Sequence, residues 1–115
     1  MRIMTFFMAV ILVVSMPLAV SAAPRALSIN PVLDFNGVTA TCDVMVVGNN
    51  TSEYIEVTMK LMEGSYCVAS WYDTGYGYVW LQEDVIVIRK HTYDLVVEVK
   101  VNGVASTPVS VSGTC

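Results

Sequence analysis

One histidine, three cysteines and ten carboxylates are the groups this 115-residue chain could bring to metal binding or acid–base chemistry. His91 stands in RKHTY, a basic turn ahead of an apolar run, where a solvated loop histidine is the plain expectation. A Ser-His-Asp or Cys-His arrangement needs a nucleophile within hydrogen-bond reach of that ring, and no G-x-S-x-G turn occurs. Zinc takes several Cys or His at short spacings, whereas Cys42, Cys67 and Cys115 are scattered. Asp73, Glu83 and Asp84 are the nearest oxygen donors for calcium, and two adjacent acids read as a solvated turn. A glycosidase pair needs two carboxylates across a cleft, which a small sheet protein does not promise. Gly75-Tyr76-Gly77 has two glycines but no strand-to-helix context for a phosphate loop. The expectation is a non-catalytic chain with no metal and no cofactor.

Binding chemistry is better represented. The stretch WYDTGYGYVW, residues 71–80, concentrates aromatic rings. A hairpin of residues 66–72 with 78–82, closed by the loop 73–77, pairs Tyr72 with Tyr78 and Trp71 with Val79. Cross-strand partners share a face. That register puts Cys67, Ala69, Trp71, Val79 and Leu81 on an apolar side. Tyr72, Tyr78 and Trp80 then form an outward aromatic strip, with Tyr76 at the loop tip. Such rings stack on sugars or anchor protein contacts, since they combine large area with few rotamers. The plain alternative is that they pack on one another or on a nearby loop.

The elements that must position these rings are strands. Val38, Ala40, Cys42, Val44 and Val46 alternate with Thr39, Thr41, Asp43, Met45 and Val47, and period two over that length is a half-buried strand. Ile55, Val57, Met59 and Leu61 repeat the pattern after the turn Gly48-Asn49-Asn50. Tyr93, Leu95, Val97, Val99 and Val101 repeat it again. Asn102-Gly103 then signals a two-residue hairpin pairing Val101 with Val104. Continued without interruption, that register would turn Val109 and Val111 outward, so a bulge or irregular link is expected near residues 106–108. Nothing after the N-terminus shows helical spacing. The fold class expected is all-β: a two-sheet sandwich of about seven strands.

The N-terminus reads differently. Arg2, an apolar run over residues 3–14 and the small residues Val20-Ser21-Ala22 form a secretory signal with cleavage after Ala22. The run is too short to span a bilayer's ~30 Å of hydrocarbon comfortably. Residues 1–22 are thus expected to be a signal peptide and residues 23–115 a single secreted domain, with no stable membrane insertion after cleavage. The mature chain keeps Arg25, Lys60, Arg89, Lys90 and Lys100 against ten Asp and Glu. That balance argues against nucleic acid as partner, because phosphate binding needs clustered Lys and Arg.

An inward Trp71 and the segment HTYDLVVEV, with Tyr93 opening a late strand, resemble an immunoglobulin-like or fibronectin-like sandwich and its tyrosine corner. The frame GVTATC, IEVTMKL, TYDLVVEVKVNG and SGTC is similar to small secreted bacterial proteins of an uncharacterised family. That resemblance covers nearly all of the mature chain and implies no activity. It implies a disulfide between Cys42 and Cys115, which would contribute roughly 4 kcal/mol in the chain-entropy description. The residues themselves leave a Cys42–Cys67 bridge open. In the first case Cys67 is a buried thiol or a link between chains. A bacterial source would also make the sequons at Asn49 and Asn50 a turn sequence rather than glycosylation sites. The expected function is a secreted non-catalytic interaction module that binds protein or glycan through Tyr72, Tyr76, Tyr78 and Trp80. The alternatives are a secreted enzyme inhibitor or small hydrolase, and a structural oligomer linked through Cys67.

Overall fold

The computed structural model describes residues 27–115. The signal peptide assigned to residues 1–22 lies outside the described residues. Eight strands follow in order: β1 (Ser28–Asn36), β2 (Thr39–Val47), β3 (Tyr54–Glu63), β4 (Tyr66–Tyr76), β5 (Tyr78–Ile86), β6 (Thr92–Val101), β7 (Val104–Ala105) and β8 (Val109–Thr114). Sheet A has the order β1-β2-β5. Sheet B has the order β4-β3-β6-β7, and β8 also pairs with β6. All pairings are antiparallel. The all-β fold expected from the alternation is the observed architecture, a sandwich of two antiparallel sheets with eight strands in place of about seven.

The core follows directly from period two. Ala40, Cys42, Val44 and Val46 of β2 face Ile55, Val57, Met59 and Leu61 of β3 and Leu95 and Val97 of β6, all fully buried. Most of these positions are β-branched or Leu, which pack well on a pleated surface and lose water from apolar area. Tyr93 is also inside, and its hydroxyl oxygen accepts a 2.9 Å hydrogen bond from the Ile88 N–H. This contact ties the link between β5 and β6 to the core, as a tyrosine corner does.

Two local expectations hold. Asn102 and Gly103 have φ of 50° and 82°, the left-handed pair of a tight hairpin, and Val101 pairs with Val104. The parity then switches before β8, where Val97 pairs with Val109 and Leu95 with Val111. Both valines therefore turn inward, and Val111 packs against the core.

The aromatic stretch is organised differently from the expected hairpin. β4 does not pair with β5. It pairs with β3, setting Tyr72 opposite Thr58 and Trp71 opposite Met59. β5 crosses to the other sheet and pairs with β2, setting Trp80 opposite Met45 and Val79 opposite Val46. Inward and outward residues alternate identically whether two strands neighbour in one sheet or lie in facing sheets, so face parity did not distinguish the two. Trp71 still packs against the core, and Val79 and Leu81 are buried. The crossing is made at Gly77, whose φ is +80°. Its N–H donates to Glu53 O and its carbonyl accepts from Gly48 N–H, both at 2.9 Å. A Cβ there would sit 3.0 Å from Thr51 Cα.

The cysteines also differ from expectation. Cys42, Cys67 and Cys115 are all unbridged. Cys42 lies mid-strand opposite Leu33 and Glu83, while Cys115 lies past the end of β8, with its thiol donating to Gly37 O at 3.2 Å. Neither the Cys42–Cys115 nor the Cys42–Cys67 bridge forms. Cys67 is not the inward thiol expected from its alternation with Ala69 and Trp71. The β3–β4 register shifts between Leu61 and Met62, so Leu61 pairs with Ala69 but Met62 pairs with Cys67. Val68 is the extra residue of this bulge. It packs against the core and rotates Cys67 into solvent.

Candidate functional site

The crossing at Gly77 divides the four candidate binding residues between the two outer faces. All four are exposed, at 60% for Tyr72, 65% for Tyr76, 62% for Tyr78 and 56% for Trp80. Tyr78 and Trp80 project from β5 on sheet A, and Tyr72 and Tyr76 from β4 on sheet B. The single outward strip expected from a hairpin is therefore two separate surfaces on opposite sides of the sandwich.

On sheet A the register sets Tyr78 beside Val47 and Trp80 beside Met45. Val47 is exposed as well. The next rows carry Val32, Asp43 and Gln82, then Asp34, Thr41 and Asp84. Trp80 Nε1 donates to Asp43, 3.1 Å from Oδ1 and 3.3 Å from Oδ2. This bond fixes the indole against β2 and leaves its face uncovered. The result is a flat surface with an aromatic and aliphatic end and a carboxylate end.

On sheet B, Tyr76 and Tyr54 are cross-strand partners with ring centroids 5.2 Å apart. Tyr76 is thus partly engaged by its neighbour. Tyr72 instead walls a groove of about 410 Å³. Glu56, Thr58, Glu98 and Lys100 floor it, and Ala105, Ser106 and Pro108 rise on the far side. The irregular link that switches parity before β8 builds that far wall. Ser106 N–H donates to Val99 O at 2.9 Å and holds it in place. Tyr72 Oη donates to Glu56 Oε1 at 2.8 Å. That hydrogen bond, with some desolvation and the Glu56 charge, raises the Tyr72 pKa and keeps the phenol a donor. Lys60 Nζ lies 3.4 Å from Glu98 Oε2.

The remaining chemical groups are spread apart. His91 is not simply a solvated loop residue: its Nδ1 contacts Glu63 Oε2, and its ring stacks near Tyr93 with centroids 6.4 Å apart. Sequence reasoning missed Glu63, because it ends β3 and meets His91 only through the β3–β6 neighbourhood. Burial, followed by the nearby Asp84 charge, pushes the Cys42 thiol up from 9.0 to about 11. Asn49 and Asn50 do lie in a turn, where Asn50 Oδ1 accepts from Ser52 N–H at 3.0 Å. The same turn buries Glu53, whose Oε1 accepts from Asn49 N–H at 2.6 Å. Among the described residues, no group of three or more His, Cys, Asp or Glu could hold a metal ion, and no helix is long and apolar enough to cross a membrane.

No protein-family model matches the chain, and no curated protein matches it.

Proposed function

We propose that this chain is an exported, non-catalytic interaction module that binds a protein partner through the outer face of sheet A. The observation that carries this reading is the adjacency of Tyr78 and Trp80 to Met45 and Val47 on one open sheet face. Large rings held by a rigid strand lose little rotamer entropy on docking, and Trp and Tyr dominate the energetics of protein contacts. The Trp80–Asp43 bond pre-orients the larger ring. Export follows from the signal at residues 1–22, and the mature product begins at Ala23.

The test is a labelled chain presented to the producing cells and to their secreted proteins, beside two double variants. Tyr78→Ala with Trp80→Ala is expected to weaken binding by roughly tenfold or more, the effect of removing two central aromatic anchors. Tyr72→Ala with Tyr76→Ala leaves that binding in place. Full binding by a folded Tyr78/Trp80 variant would overturn the reading.

The groove on sheet B supports a second reading, in which a short saccharide stacks on Tyr72 and donates its hydroxyls to Glu56 and Glu98. A glycan array bound by the native chain and not by Tyr72→Ala would select this reading over the first.

A further inference from the structure

The outer face of sheet A is polarised in charge as well as in hydrophobicity. Its outward positions are Ser28, Asn30, Val32, Asp34 and Asn36 on β1; Thr39, Thr41, Asp43, Met45 and Val47 on β2; and Tyr78, Trp80, Gln82, Asp84 and Ile86 on β5. Three carboxylates stand among them and no Lys, Arg or His. Among the described residues, the ion pairs are Lys60–Glu98 and His91–Glu63, so Asp34, Asp43 and Asp84 form no ion pair with a described cation. Lys60 and Lys100 both lie on sheet B, where they stand against Glu56 and Glu98. Arg89 and Lys90 lie in the link after β5.

We infer that the partner docking on sheet A is a polypeptide segment carrying Lys or Arg beside apolar or aromatic residues. This rests on the reading that sheet A is the docking face. Outward positions on a strand recur every ~7 Å, so the Trp80–Met45 row lies one such step from Asp43 and two from Asp34 and Asp84. Apolar side chains of the partner cover Val47, Tyr78, Met45 and Trp80, while its cations reach the aspartates. Burying one sign of charge against an apolar segment leaves the carboxylates unpaired and disfavours that complex, whereas Lys or Arg restores complementarity and speeds encounter. A second copy of the same face is a poor occupant, because it would bring aspartates with no cation to answer them.

The test uses synthetic probes and the full mature chain, with Trp80 fluorescence and calorimetry as readouts. The probes are three short peptides alternating leucine with lysine, leucine with glutamate, and serine with lysine. The leucine–lysine peptide is expected to bind tightest, and its affinity should fall as salt rises from about 0.05 to about 0.5 M. The isosteric Asp34→Asn, Asp43→Asn, Asp84→Asn variant keeps an acceptor for Trp80 Nε1. It is expected to bind that peptide roughly tenfold more weakly and to lose most of the salt dependence. Equal binding of the leucine–glutamate peptide, or unchanged binding by the triple variant, overturns the inference. If the triple variant is unchanged while Tyr78→Ala with Trp80→Ala loses binding, the docking face stands and its charge preference does not. If the aromatic variant binds every probe and the native partner as the native chain does, the docking face itself is wrong. Sedimentation showing a dimer that Trp80→Ala dissolves would make the occupant a second copy and overturn the inference as well.

Discussion

Tyr93 shows how one side chain joins the core to a loop. Its ring is 1% exposed, while its hydroxyl satisfies the Ile88 N–H. Tyr93→Phe keeps the ring and removes the acceptor, and is expected to cost about 1–2 kcal/mol in urea unfolding with little change in m-value. Cys42 offers a second residue-scale prediction. Its thiol is neutral when buried and titrates near 11, against 9.0 for an ordinary thiol. Between those values the folded chain holds the proton and the unfolded chain releases it. The stabilisation is therefore complete below pH 9.0 and is lost as pH rises toward about 11. Urea midpoints measured across that window should fall for the native chain and fall less steeply for Cys42→Ala. A thiol reagent near neutral pH should label exposed Cys67 quickly and Cys42 only on unfolding. The tyrosine corner was legible from Tyr93 at the head of an alternating run. The loss of the expected bridges was not, because cysteine spacing says nothing of where along a strand two thiols meet.

At the scale of elements, the decisive feature is the passage from β4 to β5. Gly77 makes it with a left-handed φ of +80°, under two backbone hydrogen bonds to the 48–53 turn. Gly77→Ala adds both backbone strain and a contact at 3.0 Å with Thr51 Cα, and should destabilise the fold by about 1–3 kcal/mol in the same unfolding measurement. The strands β2, β3 and β6 were legible residue by residue, since each buries one complete alternate set. The turn at Asn102-Gly103 and the parity switch before β8 were legible too, because valines left outward would conflict with the core. The Val68 bulge was hidden, as no turn residue marks it and the shift appears only when β4 is laid against β3.

At the scale of the molecule, the two open edges flanking this passage are guarded by charge. β4 ends sheet B and β5 ends sheet A. Asp73, paired with Val57, and Glu83, paired with Cys42, occupy positions whose parity points inward. An inward carboxylate on an edge strand makes a second copy a poor edge-to-edge neighbour. Replacing both with Val should leave a folded chain at low concentration and produce concentration-dependent association by light scattering beyond that of the native chain measured beside it. Division of the aromatic rings between two outer faces is likewise a property of the whole sandwich.

The alternation of side chains was enough to establish an all-β fold, most of its inner faces and the outward disposition of Tyr72, Tyr78 and Trp80, because pleating makes every second residue share a side wherever the strand lies; Tyr76, expected at a loop tip, is instead the last residue of β4. Sheet membership depended on long-range pairing. Thr58 and Met45, distant along the chain, are what draw Tyr72 and Trp80 to opposite surfaces, and a periodicity identical for both arrangements holds no record of that choice.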